Sequence, residues 1–115
     1  MPSRLDQLAK ACTLSKDQKK EFKTILDGMN KDAEPLRKQL APARDLMQST
    51  VVSGKGADEV RKSVDSYAML TAQMSALEMK AFATLIKILD ADQQKQGGQG
   101  LLNLMNGIFA NKSWN

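Results

Sequence analysis

The sequence predicts an all-α protein: a long, kinked antiparallel helical hairpin flanked by short N- and C-terminal helices. Three observations carry that prediction. First, three prolines in 115 residues, 4% aromatics and abundant Ala, Leu, Lys and Gln favour helix over strand, because unbranched side chains lose little rotamer freedom in a helix. Second, two long runs of apolar residues at helical steps of three and four are separated by a glycine-containing break. Third, one short phrase with helix-starting chemistry is written twice, as LSKDQKK at residues 14–20 and as LDADQQK at residues 89–95. No window reads as a strand. A chain of this length with 42% hydrophobic residues makes a single folding unit with a modest core.

In chain order, Leu5, Leu8, Ala9 and Cys12 share one face of a short N-terminal helix. In the first phrase, Leu14 precedes Ser15, and Gln18 follows three residues later. This is capping-box spacing: the serine side chain accepts from an opening-turn amide while the glutamine reaches back to the cap residue's own N–H. Phe22, Leu26, Met29, Ala33, Leu36, Leu40, Ala43 and Met47 then form a seam along a helix over residues 16–49. Such a helix is about 50 Å long and needs another long helix beside it. Pro35 and Pro42 each remove an intrahelical hydrogen bond and crowd the preceding turn, so a bend or a break is expected there.

SGKG at residues 53–56 ends the pattern, and the next helix begins near Asp58. Val60, Val64, Tyr67, Leu70, Met74, Leu77, Ala81, Leu85 and Ile88 make the second seam. Folding the chain at Lys55 sets Leu40 near Leu70, Leu36 near Met74, Met29 near Ala81 and Phe22 near Ile88. This second helix is more apolar than a hairpin requires: Met69, Ala72, Ala76, Met79, Ala83 and Ile86 make another stripe, rotated by roughly 100°. Terminal helices or a second subunit would cover such a stripe. Left uncovered, it is a surface for clients, because methionines repack against varied partners and alanines keep the face shallow.

The second phrase repeats the capping chemistry with Leu89, Asp90 and Gln93. QGGQG at residues 96–100 reads as a flexible joint, followed by an amphipathic helix with Leu101, Leu104, Met105, Ile108 and Phe109 on one side. The expected organisation is therefore a helical domain over residues 1–95, then a joint, a short helix and a loose tail over residues 96–115. Trp114 in that tail is expected either to dock on an apolar patch or to rest in solvent.

The motif pair, set at the start of the first long helix and just after the second, resembles the Spy/CpxP family, whose members carry two Leu-Thr-x-x-Gln boxes around a curved helical hairpin. Here Leu14-Ser15-Lys16-Asp17-Gln18 and Leu89-Asp90-Ala91-Asp92-Gln93 occupy those places, with Ser and Asp replacing Thr and keeping its capping chemistry. EPLRKQL at residues 34–40 is similar to family sequences at the same point, and the resemblance covers roughly residues 13–95. It implies an exported, periplasmic protein that dimerises into a cradle. It further implies an ATP-independent chaperone, an inhibitor of envelope-stress signalling, or a metal-responsive protein. The metal-responsive branch relies largely on histidine ligands, and this chain has none.

Composition narrows the functions further. With no histidine, a dedicated transition-metal site is not expected. Catalysis is not expected either: the single cysteine, Cys12, has no evident base, no phosphate-binding glycine loop is present, and Asp90 and Asp92 are explained by a helix start. No cofactor is implied. A net charge of +4 and a pI of 9.3 favour acidic partners. The lysines 16, 19, 20 and 23 are interleaved with Asp17 and Glu21 and read as a solvated face with ion pairs rather than a nucleic-acid contact. The opening MPSRLDQLAK lacks the apolar core and cleavage pattern of a signal peptide, and the uncharged stretch over residues 66–77 falls short of the roughly 20 apolar residues that span a bilayer.

The leading expectation is a chaperone-like module that holds unfolded or partly folded proteins on the Met/Ala stripe, with Arg37, Arg44, Arg61 and Lys80 supplying a basic rim. The second is a regulator that docks on one envelope signalling protein through the same surfaces.

Overall fold

The computed structural model describes residues 3–111, with side chains through Phe109; Trp114 and its neighbours lie outside the described residues. The described chain is all-α, in five helices: α1 (Arg4–Cys12), α2 (Lys16–Val52), α3 (Ala57–Ile86), α4 (Ala91–Met105) and the single turn α5 (Ile108–Asn111). Three of the helices open with a complete capping box. Ser15 Oγ accepts from the Gln18 N–H at 3.1 Å while Gln18 Oε1 accepts from the Ser15 N–H at 3.0 Å, and Asp90 and Gln93 repeat the exchange at 2.8 and 3.0 Å. Ser3 and Asp6 make a third such box at the start of α1.

α2 and α3 lie side by side in opposite directions. At their base Gln18 bonds to the Ile88 carbonyl, and near the tip Thr50 Oγ1 lies 3.1 Å from Ser63 Oγ. Between these points Phe22, Leu26, Ala33 and Leu40 of α2 are buried with Met74, Ala81 and Leu85 of α3. The turn joining them is a Schellman motif: the Lys55 N–H reaches the Thr50 carbonyl, the Gly54 N–H reaches the Val51 carbonyl, and Gly54 takes φ +72°. Only glycine enters that left-handed region without steric cost.

Of the bend or break expected at the prolines, the break does not occur: α2 continues as one helix of 37 residues, three residues past the expected end. Pro35 and Pro42 stand one heptad apart on exposed positions, as do Lys31 and Lys38, whose carbonyls lose their donors. The break in hydrogen bonding thus falls on the solvent side, and the seam on the buried side carries the helix through. At about 1.5 Å per residue α2 is about 55 Å long, which accounts for the 54 Å long axis of the molecule.

Nor is QGGQG a joint; all five residues lie inside α4, across the boundary expected near residue 95. Gly97 is buried, and a Cβ there would stand 2.8 Å from the Ala11 carbonyl oxygen and 2.9 Å from Cys12 Cα. A Cβ on Gly100 would come within 3.4 Å of the Ala11 Cβ. These glycines are where α1 and α4 approach backbone to backbone. The helix-propensity cost of about 1 kcal/mol per glycine is exchanged for that contact. α1, α4 and α5 together pack on the base and one flank of the α2–α3 pair, burying Leu8, Cys12, Leu101, Met105, Ile108 and Phe109 completely or nearly so.

Candidate functional site: the paired motifs and the exposed face of α3

The two written phrases meet in space. Gln18 Nε2 donates to Gln93 Oε1 at 2.9 Å and Gln93 Nε2 donates to Gln18 Oε1 at 2.8 Å, so the two amides close a ring. Each also donates to the carbonyl just before the other motif's leucine: Gln18 to Ile88 at 3.2 Å and Gln93 to Thr13 at 3.0 Å. Both amide hydrogens and both carbonyl lone pairs of each side chain are thereby used, counting the capping bond each Oε1 accepts. Thr13 holds a left-handed conformation, φ 51°, at the end of α1, which turns its carbonyl toward Gln93. Leu89 is buried and Leu14 is partly buried against the core, so the leucines anchor what the glutamines join. The paired motifs are a structural lock that closes the base of the hairpin.

The Met/Ala stripe is a surface. Met69 is 64% exposed and Met79 is 41% exposed, and Ala72, Ala76 and Ala83 are exposed between and beside them. At about 100° per residue these positions centre roughly 160° from the seam, so they lie towards the back of α3 and not on an adjacent flank as the sequence suggested. That is why the terminal helices, which pack at the base and one flank, do not cover them. Ile86 departs from the stripe: it is partly buried, packs on the core and lies near Gly98 of α4.

Beside the stripe, an open groove of about 480 Å3 runs between the long helices, walled by Asp32, Pro35 and Leu36 of α2 and by Gln73, Ala76, Leu77 and Lys80 of α3. A second hollow of about 300 Å3, with Gln39, Ser66, Met69 and Leu70 among its walls, continues it towards the tip. Ala76 and Met69 thus belong both to the stripe and to these grooves.

The expected basic rim divides. Lys80 and Arg61 are exposed. Arg44 places its guanidinium 5.9 Å from the centre of the Tyr67 ring, within reach of a cation–π contact. Arg37 is a structural group: it is partly buried and its Nη1 donates to the Phe109 carbonyl at 2.6 Å. Sequence reasoning passed over Glu78, which is 3% exposed and accepts the Phe109 N–H at 3.1 Å. Its signal was present, as a carboxyl four residues after Met74 and three before Ala81 on the seam side of α3.

Lys19 pairs with Asp6 at 2.7 Å and Lys23 with Asp27 at 2.8 Å, tying part of the lysine cluster to carboxylates of α1 and α2. Cys12 is buried, its thiol 3.7 Å from the Gly97 carbonyl, and loss of solvent raises its pKa above the ordinary 9.0. Among the described residues no three His, Cys, Asp or Glu side chains gather as a possible metal-binding set, and no helix is long and apolar enough to cross a membrane. Comparison with models of known protein families, with curated proteins and with solved structures returns no match.

Proposed function

We propose that this chain is an ATP-independent, periplasmic, Spy/CpxP-like holding protein that binds unfolded or partly folded clients on the exposed Met/Ala face of α3. The observation that carries the reading is the exposure of Met69 and Met79, separated by small exposed alanines, beside an open apolar groove. Flexible thioethers adapt to chains of different shape, and the shallow alanine floor admits a client backbone or helix without demanding one side-chain pattern. Lys80 on the groove wall and Arg61 nearer the tip attract acidic clients and speed encounter, while the apolar contact holds them. No catalytic step, cofactor or nucleic acid enters this function.

A cradle formed with a second copy would place two such faces around one client. The full chain should therefore sediment as a dimer in solution. The functional test is light scattering from an unfolded model protein as it aggregates, with stoichiometric chain and no ATP. Suppression with two unrelated clients, reduced only in part by moderate salt, is the expected result. Binding confined to one envelope signalling protein, with no effect on unrelated clients, would replace the holding reading with that of a dedicated regulator.

A further inference from the structure

On the other flank of the hairpin, a single turn of helix sits in a seat that reads main chain. Ile108 and Phe109 of α5 have no exposed surface. Glu78 of α3 accepts the Phe109 N–H at 3.1 Å, and Arg37 of α2 donates to the Phe109 carbonyl at 2.6 Å. One residue is thus gripped at both of its backbone polar groups by side chains from two different helices. The recognition needs only an N–H and a C=O at the right separation, with an aliphatic and an aromatic side chain to fill the apolar hole beside them.

α5 is four residues long, too short to be stable without packing, and follows Gly107 at φ +76°. Arg4 ties down the chain just before it, through the Leu104 and Asn106 carbonyls at 2.6 and 2.9 Å. The flank does not end with α5. A cleft of about 190 Å3, with Leu40, Arg44, Tyr67, Met74 and Glu78 among its walls, opens from Asn106 and Gly107 towards the tip. Tyr67 and the carboxyl group that holds Phe109 thus line one cleft.

We infer that the α2–α3 flank holding α5 is a peptide-binding site for segments carrying an aliphatic–aromatic pair, and that α5 fills it as an internal ligand. Departure of α5 would leave Glu78 and Arg37 without these main-chain partners in a poorly solvated seat, so the seat exchanges occupants and does not stand empty. The cis occupant also sets a threshold: a peptide must present both the backbone groups and the two side chains to displace it. This site is separate from the Met/Ala face and does not depend on it.

The probe is the capped pentapeptide Gly-Ile-Phe-Ala-Asn, the sequence of residues 107–111, added at up to millimolar concentration to the full chain. Amide exchange at Phe109 is followed by NMR in the unmodified protein, so no variant has to fold. The expected result is at least a threefold rise in exchange at Phe109 with the probe and no change with Gly-Ile-Ser-Ala-Asn. Labelled probe should also bind a full-length Phe109→Ala chain at least tenfold more tightly than the unmodified chain, and Glu78→Gln added to Phe109→Ala should weaken it again. An unchanged Phe109 exchange rate at saturating solubility of the probe, or equal change with the serine peptide, would overturn the inference whatever the holding assay shows.

Discussion

Replacing Gln18 and Gln93 by alanine, singly and together, measures the lock that the repeated phrase builds. Each side chain makes four hydrogen bonds, two of them shared with the other glutamine in the partly buried amide ring. Net hydrogen bonds contribute about 0.5–1.5 kcal/mol each, with the exposed capping bonds at the low end. Each single variant should therefore lose about 3 kcal/mol. The double variant removes the two shared bonds only once and should lose about 4 kcal/mol, leaving a coupling energy of about 2 kcal/mol, within the range of contacting pairs. Urea unfolding of the four proteins, followed by far-UV circular dichroism and compared at a common m-value, gives the cycle. Losses that add to within about 0.5 kcal/mol would show that the two motifs are independent helix starts and refute the lock.

Three further outcomes follow from the same geometry. Gly97→Ala should destabilise the fold by about 1–3 kcal/mol, because the atoms in its way are backbone, whereas Gly28→Ala, with nothing within 4 Å, should stabilise it by about 0.5–1 kcal/mol; equal effects in thermal melts would contradict the α1–α4 contact. Thr13→Gly should relieve about 1 kcal/mol of left-handed strain without disturbing the Gln93 bond to that carbonyl, and a loss of stability in urea would count against it. The Lys19 hydrogen bond, followed by those from Ser3, holds Asp6 below its ordinary 3.8. Its folded pKa is depressed, so the associated stability is present above 3.8 and is lost as pH falls through the lower folded value. A carboxyl titration by NMR should find the midpoint below 3.8 and see it rise in Lys19→Ala; identical midpoints would remove the ion pair as the cause.

Much of the fold is written locally. The heptad-like seams, the Ser15 and Asp90 caps and the glycine turn at residues 53–56 depend on neighbours within a few positions, so spacing alone exposes them. What spacing cannot show is which tertiary contact overrides a local preference. Pro35 and Pro42 look like breakers until their exposed placement is known, and Gly97 looks like a hinge until the Ala11 backbone is seen against it. The ring between Gln18 and Gln93 was hidden for the opposite reason. Capping already explained each glutamine, so nothing called for a second partner 75 residues away. Of the candidate client surface, Met69, Ala72, Ala76, Met79 and Ala83 could be read from the α3 sequence as a stripe that the seam does not use. Ile86 and Arg37 could not be separated from it, because their partners come from the C-terminal helices.

The most direct test of the proposed function compares the unmodified chain with Met69→Asp/Met79→Asp in suppressing aggregation of two unrelated clients without ATP. Both side chains are exposed, so helical content and melting temperature should hold. Losing the apolar contact of two methionines removes about 2 kcal/mol of client binding, a roughly thirtyfold weakening. Suppression by the unmodified chain that disappears in the double variant is the predicted result; suppression of equal strength in both would place client binding elsewhere on the molecule and contradict the account.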